Sequence, residues 1–267
     1  MAWQARLSLG YRRQGSRTVC ARQHQGPLLV QKALYPEGPG ICHSILVHPP
    51  GGIAGGDQLT LDVVCEEDAH ALLTTPAATK WYKSLDEPAA QHTRLQIRGA
   101  LEWLPQEAIV FDAAQARTQT MVELAADAAA IGWEMTVLAR GAMGERFTRG
   151  SFTQTLQLYE DGHLLWLERM RLNGGDALLA SPVGLGGARA CGCLWAYSAA
   201  LDDAALETLR TSDDTPALTR LSPRLLVARM LASSITALRT AFEPLWMRLR
   251  PLVFAGLPPQ RPRIWAT

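Results

Sequence analysis

The distribution of hydrophobic positions predicts a protein built mainly from β-strands. From about residue 26 to residue 200, apolar side chains alternate with polar ones in short runs that end at Gly, Pro or Asp. In one such run Leu59, Leu61 and Val63 share one face, and the polar residues between them share the other. Repeated short runs are typical of stacked or sandwiched sheets, and they leave a solenoid-like arrangement open.

One hairpin is predicted from a turn motif. Strand-like runs at residues 152–159 and 164–172 flank the dipeptide Asp161-Gly162. An Asp-Gly step between two such runs favours a tight two-residue turn, because both central positions then adopt positive φ at low cost.

Helical periodicity occurs only near the end of the chain. Residues 202–210 are predicted to form a short helix with Asp202 as its N-cap. A longer helix is predicted from about residue 233 to residue 250, where apolar positions recur every three or four residues. Pro244 should bend this helix and Pro251 should end it. We therefore expect one domain over residues 1–267, mainly β, with a few helices and the main one near the C-terminus.

Composition limits the classes of partner. The chain has 267 residues, of which 48% are hydrophobic, and its net charge is +1. It lacks the basic excess of a nucleic-acid-binding protein, so we expect no nucleic acid partner.

No apolar run reaches the ~18 residues of a membrane span, and the N-terminus lacks a secretory apolar region, so we expect a cytoplasmic protein with no membrane partner. The five cysteines are an odd number in a long chain and are expected to be reduced thiols.

The most unusual segment is a glycine-rich run at residues 48–57. Its candidate functional residues are His48, Gly51, Gly52, Gly55, Gly56 and Asp57. Gly51 and Gly56 have the spacing of a phosphate-binding loop, but Asp57 stands where the lysine of that loop belongs, which excludes nucleotide binding. Glycine tolerates positive φ and close backbone approach, so the run can form a shaped loop that presents His48 and Asp57. A tight corner between two strands explains the same residues.

Glu168 is a second candidate because strand alternation places it on an apolar face with Leu164, Trp166, Met170 and Leu172. A carboxylate on such a face must be paired, protonated or turned towards water in an internal cavity. An ion pair with a distant arginine and a functional role both satisfy this requirement. Glu102, beside Trp103, raises the same question.

Two groups of residues have the chemistry of metal ligands without a complete pattern. Cys42 and His43 are adjacent, so their side chains point apart along an extended strand. Cys191 and Cys193 lie on one side of a strand and suit a soft metal, but two thiols without a third ligand are more often small core residues. Whether either group binds metal stays open. The sequence contains no HExxH, CxxC or GxSxG motif.

Taken together, a set of motifs resembles the urease accessory protein UreD (UreH) family. The resemblance runs from about residue 3 to the C-terminus. The motifs are Gly26-Pro27-Leu28 with Val30-Gln31-Lys32, Leu34-Tyr35-Pro36-Glu37, Cys42-His43, the run from His48 to Asp57, Thr79-Lys80, the run from Leu101 to Glu107, and Pro262-Arg263-Ile264-Trp265.

The resemblance implies a non-enzymatic protein with a helically stacked, mainly β fold. It implies that the chain works on apo-urease in a complex with UreF and, through UreF, with the GTPase UreG. No tightly bound cofactor is implied; Ni²⁺ is a transient cargo that an internal passage conducts to urease. Asp57 and Glu168 fall on family positions linked with that passage, and we take the glycine-rich run and Glu102 as further candidates for its lining.

Two alternatives remain. The protein could be a structural clamp that reshapes urease and never touches nickel. Alternatively, Asp57, Glu102 or Glu168 could act as a paired general acid and base, for example on a carbohydrate. The last alternative requires two carboxyl groups within ~10 Å of each other across an open cleft.

Overall fold

A computed structural model describes residues 2–84, 87–210 and 216–266. Strands make up 51% of the chain and helices 14%, which confirms the mainly β prediction. The strands are β1 (Gln4–Gln14), β2 (Arg17–Gln25), β3 (Leu29–Leu34), β4 (Ile41–Val47), β5 (Gly52–Ile53), β6 (Gln58–Cys65), β7 (His70–Thr74), β8 (Thr79–Trp81), β9 (Ala89–Ile97), β10 (Ala100–Leu104), β11 (Ala108–Val110), β12 (Gln115–Leu124), β13 (Ala129–Leu138), β14 (Ser151–Glu160), β15 (His163–Asn173), β16 (Ala190–Tyr197), β17 (Ala217–Ser222) and β18 (Leu225–Ala232). The helices are α1 (Asp203–Leu209) and α2 (Ile235–Val253), and short 3-10 turns lie at Gly141–Met143, Ala177–Leu179 and Arg263–Ala266.

The chain winds into stacked coils, as the resemblance implied. One sheet has the order β15-β14-β12-β9-β6-β1-β2, and the other has β17-β18-β16-β13-β10-β7-β4-β3. Strands β6, β9 and β12 pair in parallel, as do β7, β10 and β13, so the chain moves from one sheet to the other once per coil. The short strands β5, β8 and β11 form a third parallel ladder at the corner. This architecture buries the alternating apolar face of each strand between the two sheets.

The predicted hairpin is present, with one correction. Strands β14 and β15 pair in antiparallel fashion, and Asp161 and Gly162 both have positive φ, as a tight turn requires. The register shifts next to Leu158, so Leu164 is turned outward and is 51% exposed. The placement of Leu164 on the inner face was therefore wrong, because a β-bulge reverses the alternation at this end of the strand.

Both predicted helices are present, and α2 is longer than expected. The Asp202 side chain accepts a hydrogen bond from the Ala205 amide (2.8 Å) and caps α1. Helix α2 packs on the outer face of β13, β16 and β18 and contains Pro244 in its interior. The prediction that Pro251 ends α2 was wrong: the Phe254 amide donates to the Arg250 carbonyl (3.0 Å), beyond the proline. A proline removes only its own N–H, and burial of Val253 stabilises the last turn.

Neither helix among the described residues has the length and apolar character needed to cross a membrane. All five cysteines are unpaired.

Candidate functional site

Two turns shape the glycine-rich loop. The Gly51 amide donates to the His48 carbonyl (2.8 Å), and the Asp57 amide donates to the Ala54 carbonyl (3.0 Å). Strand β5 lies between these turns and pairs with β8. Gly51 and Gly56 have φ of 76° and 85°, which side chains rarely adopt. The loop is thus a structured corner whose glycines are required by the backbone.

Close packing fixes the other two glycines of the loop. A Cβ atom at Gly52 would lie 2.4 Å from the Tyr82 ring, and one at Gly55 would lie 2.8 Å from the Glu87 carbonyl oxygen. Neither position has room for a side chain.

The Asp57 carboxylate is held by the main chain. It is 3% exposed; Oδ1 accepts from the Trp3 amide (2.7 Å) and Oδ2 from the Ala54 amide (2.9 Å). Asp57 therefore joins the N-terminal segment to the loop. Burial lowers the pKa of His48, and the negative charge of Asp57 raises it again only in part.

A cavity of about 240 Å³ lies between the two sheets. His48, Gly51 and Gly52 line its loop end, and Glu134 and Gln154 also line it. Its described lining includes none of Asp57, Glu102 and Glu168. The glycine-rich loop thus forms part of the cavity wall, although its aspartate is turned away.

Several polar atoms on the cavity wall lack a protein partner. Among the described side chains, His48 Nε2, Trp81 Nε1, Trp103 Nε1 and Thr118 Oγ1 are buried, accept or donate no hydrogen bond, and belong to residues that line the cavity. Buried polar groups are normally satisfied, by water if not by protein. The cavity wall is therefore suited to water or to a polar ligand.

The strand register explains why one part of the mostly apolar cavity wall is polar. Leu59, Gln91, Thr118 and Gln154 are neighbours across the successive strands β6, β9, β12 and β14, all on the inner face. The ladder is apolar at Leu59 and polar from Gln91 onward. We call Gln91, Thr118, Thr120 and Gln154 the polar stripe; all four line the cavity.

Glu134 on β13 faces the polar stripe from the opposite sheet. Thr120 donates a hydrogen bond to its Oε1 and Gln154 donates one to its Oε2. Burial raises the pKa of Glu134, and these two hydrogen bonds offset the effect only in part. The site therefore contains a buried acid whose neutral form is favoured over that of an exposed glutamate. Sequence analysis did not identify this residue.

Glu168 lies farther along the same interior, where the sheets meet solvent. Its Oε2 accepts hydrogen bonds from Arg229 Nη2 (2.6 Å) and Nε (3.0 Å). Both side chains are partly exposed, 35% for Glu168 and 45% for Arg229. The cross-strand neighbours Glu134, Cys193 and Arg229 connect this ion pair to the cavity wall. The ion pair considered from the sequence is thus present, and it bridges the two sheets.

Glu102 lies apart from the cavity. Trp103 faces the cavity, whereas Glu102, on the opposite side of β10, is fully buried beneath α2. Glu102 accepts hydrogen bonds from Arg250 Nε (3.0 Å) and from Trp246 Nε1 (2.8 Å). Burial would raise the pKa of Glu102, but the contacts with His70 and Arg250 outweigh burial and lower it.

The cysteine and histidine groups occupy two separate places. His43 Nε2 lies 2.8 Å from Glu37 Oε1, so its ring belongs to the ion network beneath α2. Cys191 Sγ lies 3.5 Å from Met170 Sδ, near Glu168. No three His, Cys, Asp or Glu side chains within the described ranges converge as a metal site.

Comparison with known proteins identifies the family. A family model described as UreD urease accessory protein matches residues 4–266. The urease accessory protein UreD of Azoarcus sp. is 48% identical over 270 residues, which cover 99% of this chain and 94% of the relative. The proteins of the same name from Dechloromonas aromatica and Pseudomonas aeruginosa are each 46% identical to this chain. The matches cover 100% of this chain and, respectively, 95% and 96% of the two relatives. The resemblance found in the motifs is thus confirmed, and the chain belongs to the UreD family of urease accessory proteins.

Proposed function

We propose that this urease accessory protein conducts Ni²⁺ through its interior to apo-urease, in a complex with UreF and, through UreF, with the GTPase UreG. The observation that supports the proposal best is the polar stripe with Glu134 on the wall of the cavity between the sheets. Its family places the chain in a chaperone-type class rather than a catalytic one. Ni²⁺ is a transient cargo in this proposal, and the nucleotide chemistry belongs to a partner.

The chemistry of the cavity wall suits weak, reversible contact with a hydrated cation. A path must bind an ion well enough to admit it and weakly enough to release it. Hydroxyl and amide oxygens of the polar stripe contact such an ion less strongly than a cage of thiolates or imidazoles. A volume of about 240 Å³ has room for several water molecules, so the ion can keep part of its hydration shell.

Glu134, which is partly buried, gives the described part of the cavity wall an acid that responds to the cargo. Its raised pKa makes the protonated form easier to reach than in an exposed glutamate. A divalent cation nearby favours the carboxylate, so any proton held by Glu134 leaves when the ion arrives. Loading should therefore weaken as pH falls.

The route would continue from Glu134 past Cys193 to the Glu168–Arg229 ion pair at the surface. Cys193 is the cross-strand neighbour of both Glu134 and Arg229. In this proposal Asp57 has a supporting role: it holds the N-terminal segment and the loop whose glycines form part of the wall.

The enzymatic alternative finds no support in the positions of the three carboxyl groups. Asp57 is bound by main-chain amides, Glu168 by Arg229, and Glu102 is buried beneath α2. Paired acid and base catalysis needs two carboxyls that face one open cleft. The structural clamp remains the competing hypothesis.

Replacing Glu134 by glutamine separates conduction from clamping. Glu134→Gln keeps the size of the side chain and removes its ability to ionise. We expect the variant to assemble with apo-urease, UreF and UreG as the wild type does, while the nickel content and activity of urease fall at limiting Ni²⁺. Glu123→Gln, in a partly exposed pair with Arg94, is the matched control and should behave as wild type.

Three measurements decide the test: complex formation by gel filtration, nickel per urease active site by metal analysis, and urease activity. Normal nickel insertion by Glu134→Gln in an intact complex would favour the clamp and overturn the proposal.

A further inference from the structure

A thiol and a thioether meet near the outer end of the interior, and a second thiol lies two residues away on the same strand. Cys191 and Cys193 lie two residues apart on β16, so both side chains point to its inner face. Gly192, between them, faces α2, where an added Cβ would lie 2.8 Å from the Phe242 ring. From the opposite sheet, Met170 on β15 places its Sδ 3.5 Å from Cys191 Sγ. All three sulfur-bearing residues are partly exposed as whole residues.

We propose that Cys191, Met170 and Cys193 form a binding site for a soft monovalent metal ion of the Cu(I) class. Thiolate and thioether sulfur select Cu(I) over hard cations. At a metal–sulfur bond of ~2.3 Å, two sulfur ligands in a tetrahedral arrangement are roughly 3.8 Å apart. The Cys191–Met170 pair needs to open by only a few tenths of an ångström to reach that separation. Cys193, on the same face of β16 as Cys191, is the candidate for the third sulfur.

Charge favours a monovalent ion over a divalent one. When the ion binds, the Cys191 S–H bond breaks, its proton passes to solvent and a sulfur–metal bond forms, with no change of oxidation state. One positive charge thereby replaces another, and the net charge of the site does not change. A divalent ion adds a charge unless a second thiol also ionises, and charge is costly to bury.

Anaerobic titration of the full-length chain with Cu(I), in competition with a chromophoric Cu(I) chelator, tests the proposal. We expect one equivalent to bind. Cys191→Ser should abolish that binding, and the volume-conserving Met170→Leu should weaken it by roughly tenfold, a factor typical of losing one supporting group at a metal site. Cys20→Ser, which removes a partly exposed thiol elsewhere, is the control and should bind as the wild type does.

The same variants also show which results would contradict the proposed Cu(I) site. Met170→Leu keeps the fold because it exchanges side chains of similar volume at a partly exposed position. Unchanged Cu(I) affinity in both Met170→Leu and Cys191→Ser would overturn the proposal, as would loss of binding in Cys20→Ser. Displacement of bound Cu(I) by an equal concentration of Ni²⁺ would contradict the selectivity argument.

Discussion

Replacing Arg250 by methionine should destabilise the protein strongly and in a pH-dependent manner. Arg250, on the inner face of α2, is fully buried and donates hydrogen bonds to two glutamates. Nη1 bonds Glu37 Oε2 (2.7 Å) and Nη2 bonds Glu102 Oε1 (3.0 Å). Arg250→Met keeps an unbranched side chain of similar length but removes the arginine partner of both carboxylates, which leaves Glu37 with His43 and Glu102 with His70. Breaking a buried ion pair in this way costs about 3 to 5 kcal/mol of unfolding free energy.

The pKa of Glu37 gives an independent magnitude. Burial would raise this pKa, but the hydrogen bonds from His43 and Arg250 outweigh burial and lower it from 4.5 to about 2. At about 1.4 kcal/mol for each pH unit, the ionised form contributes roughly 3 kcal/mol, a sum that His43 and Arg250 share and that is an upper bound on the part of Arg250. Because the folded-state pKa is depressed, this contribution is present above pH 4.5 and is lost as pH falls towards 2.

The assay is urea unfolding of the wild type and the variant at about pH 8 and about pH 5, a range over which unpaired buried carboxyls protonate. In the wild type Arg250 stays charged across this range and helps to lower the pKa values of Glu37 and Glu102. Without Arg250 these pKa values rise relative to the wild type, so the folded variant takes up protons more readily and regains part of its stability as pH falls. The difference in unfolding free energy should therefore be large at the higher pH and smaller at the lower one.

A matched substitution controls for the loss of an arginine. Arg94→Met breaks an exposed pair with Glu123 and should cost about 1 kcal/mol or less at either pH. An Arg250→Met defect of the same size at both pH values would refute the reasoning, since lost packing without unpaired charge has no such pH dependence.

Two further predictions concern the loop and the route. The double variant Asp57→Ala with Glu168→Ala should leave the complex with apo-urease assembled and lower its nickel content, as measured by metal analysis; full activation at limiting Ni²⁺ would contradict conduction. Gly52→Ala forces a Cβ against the Tyr82 ring and should lower the unfolding free energy by about 1 to 3 kcal/mol in urea titrations. Gly10→Ala, whose added Cβ would meet only Ala21 Cβ at 4.0 Å, serves as its comparison for crowding.

The sequence was sufficient for the strands because their inner faces are mostly apolar. The alternation at Leu59, Leu61 and Val63 matches the buried positions of β6 one for one. The predicted end of α2 was wrong because Pro251 was expected to end the helix, whereas a proline removes only one backbone donor. The bulge near Leu158 reversed one end of β15, and residue types at that position carry no clear signal for it.

The candidate site was less predictable because polarity was equated with solvent exposure. In β13, Trp133 and Met135 point towards α2, and Glu134 points to the other face. In an isolated amphipathic strand that other, polar face would be exposed to water. Both faces of β13 are covered, one by α2 and the other by the opposite sheet. Only the pairing of strands far apart in the chain shows that Glu134 meets Thr120 and Gln154 inside the protein.

This placement also changes how Asp57 and Glu168 contribute to the proposed route. Asp57 was predicted from the glycine-rich run and Glu168 from its apolar strand face, yet each already has strong partners, the main-chain amides for Asp57 and Arg229 for Glu168. A carboxylate with such partners gains less from a passing cation than one that can exchange a proton for it. Glu134 has only two neutral donors and a raised pKa. Its ionisation is therefore the step at which the interior can respond most strongly to a divalent cargo. Glu134→Gln should accordingly impair nickel transfer more than the loss of Asp57 or of Glu168.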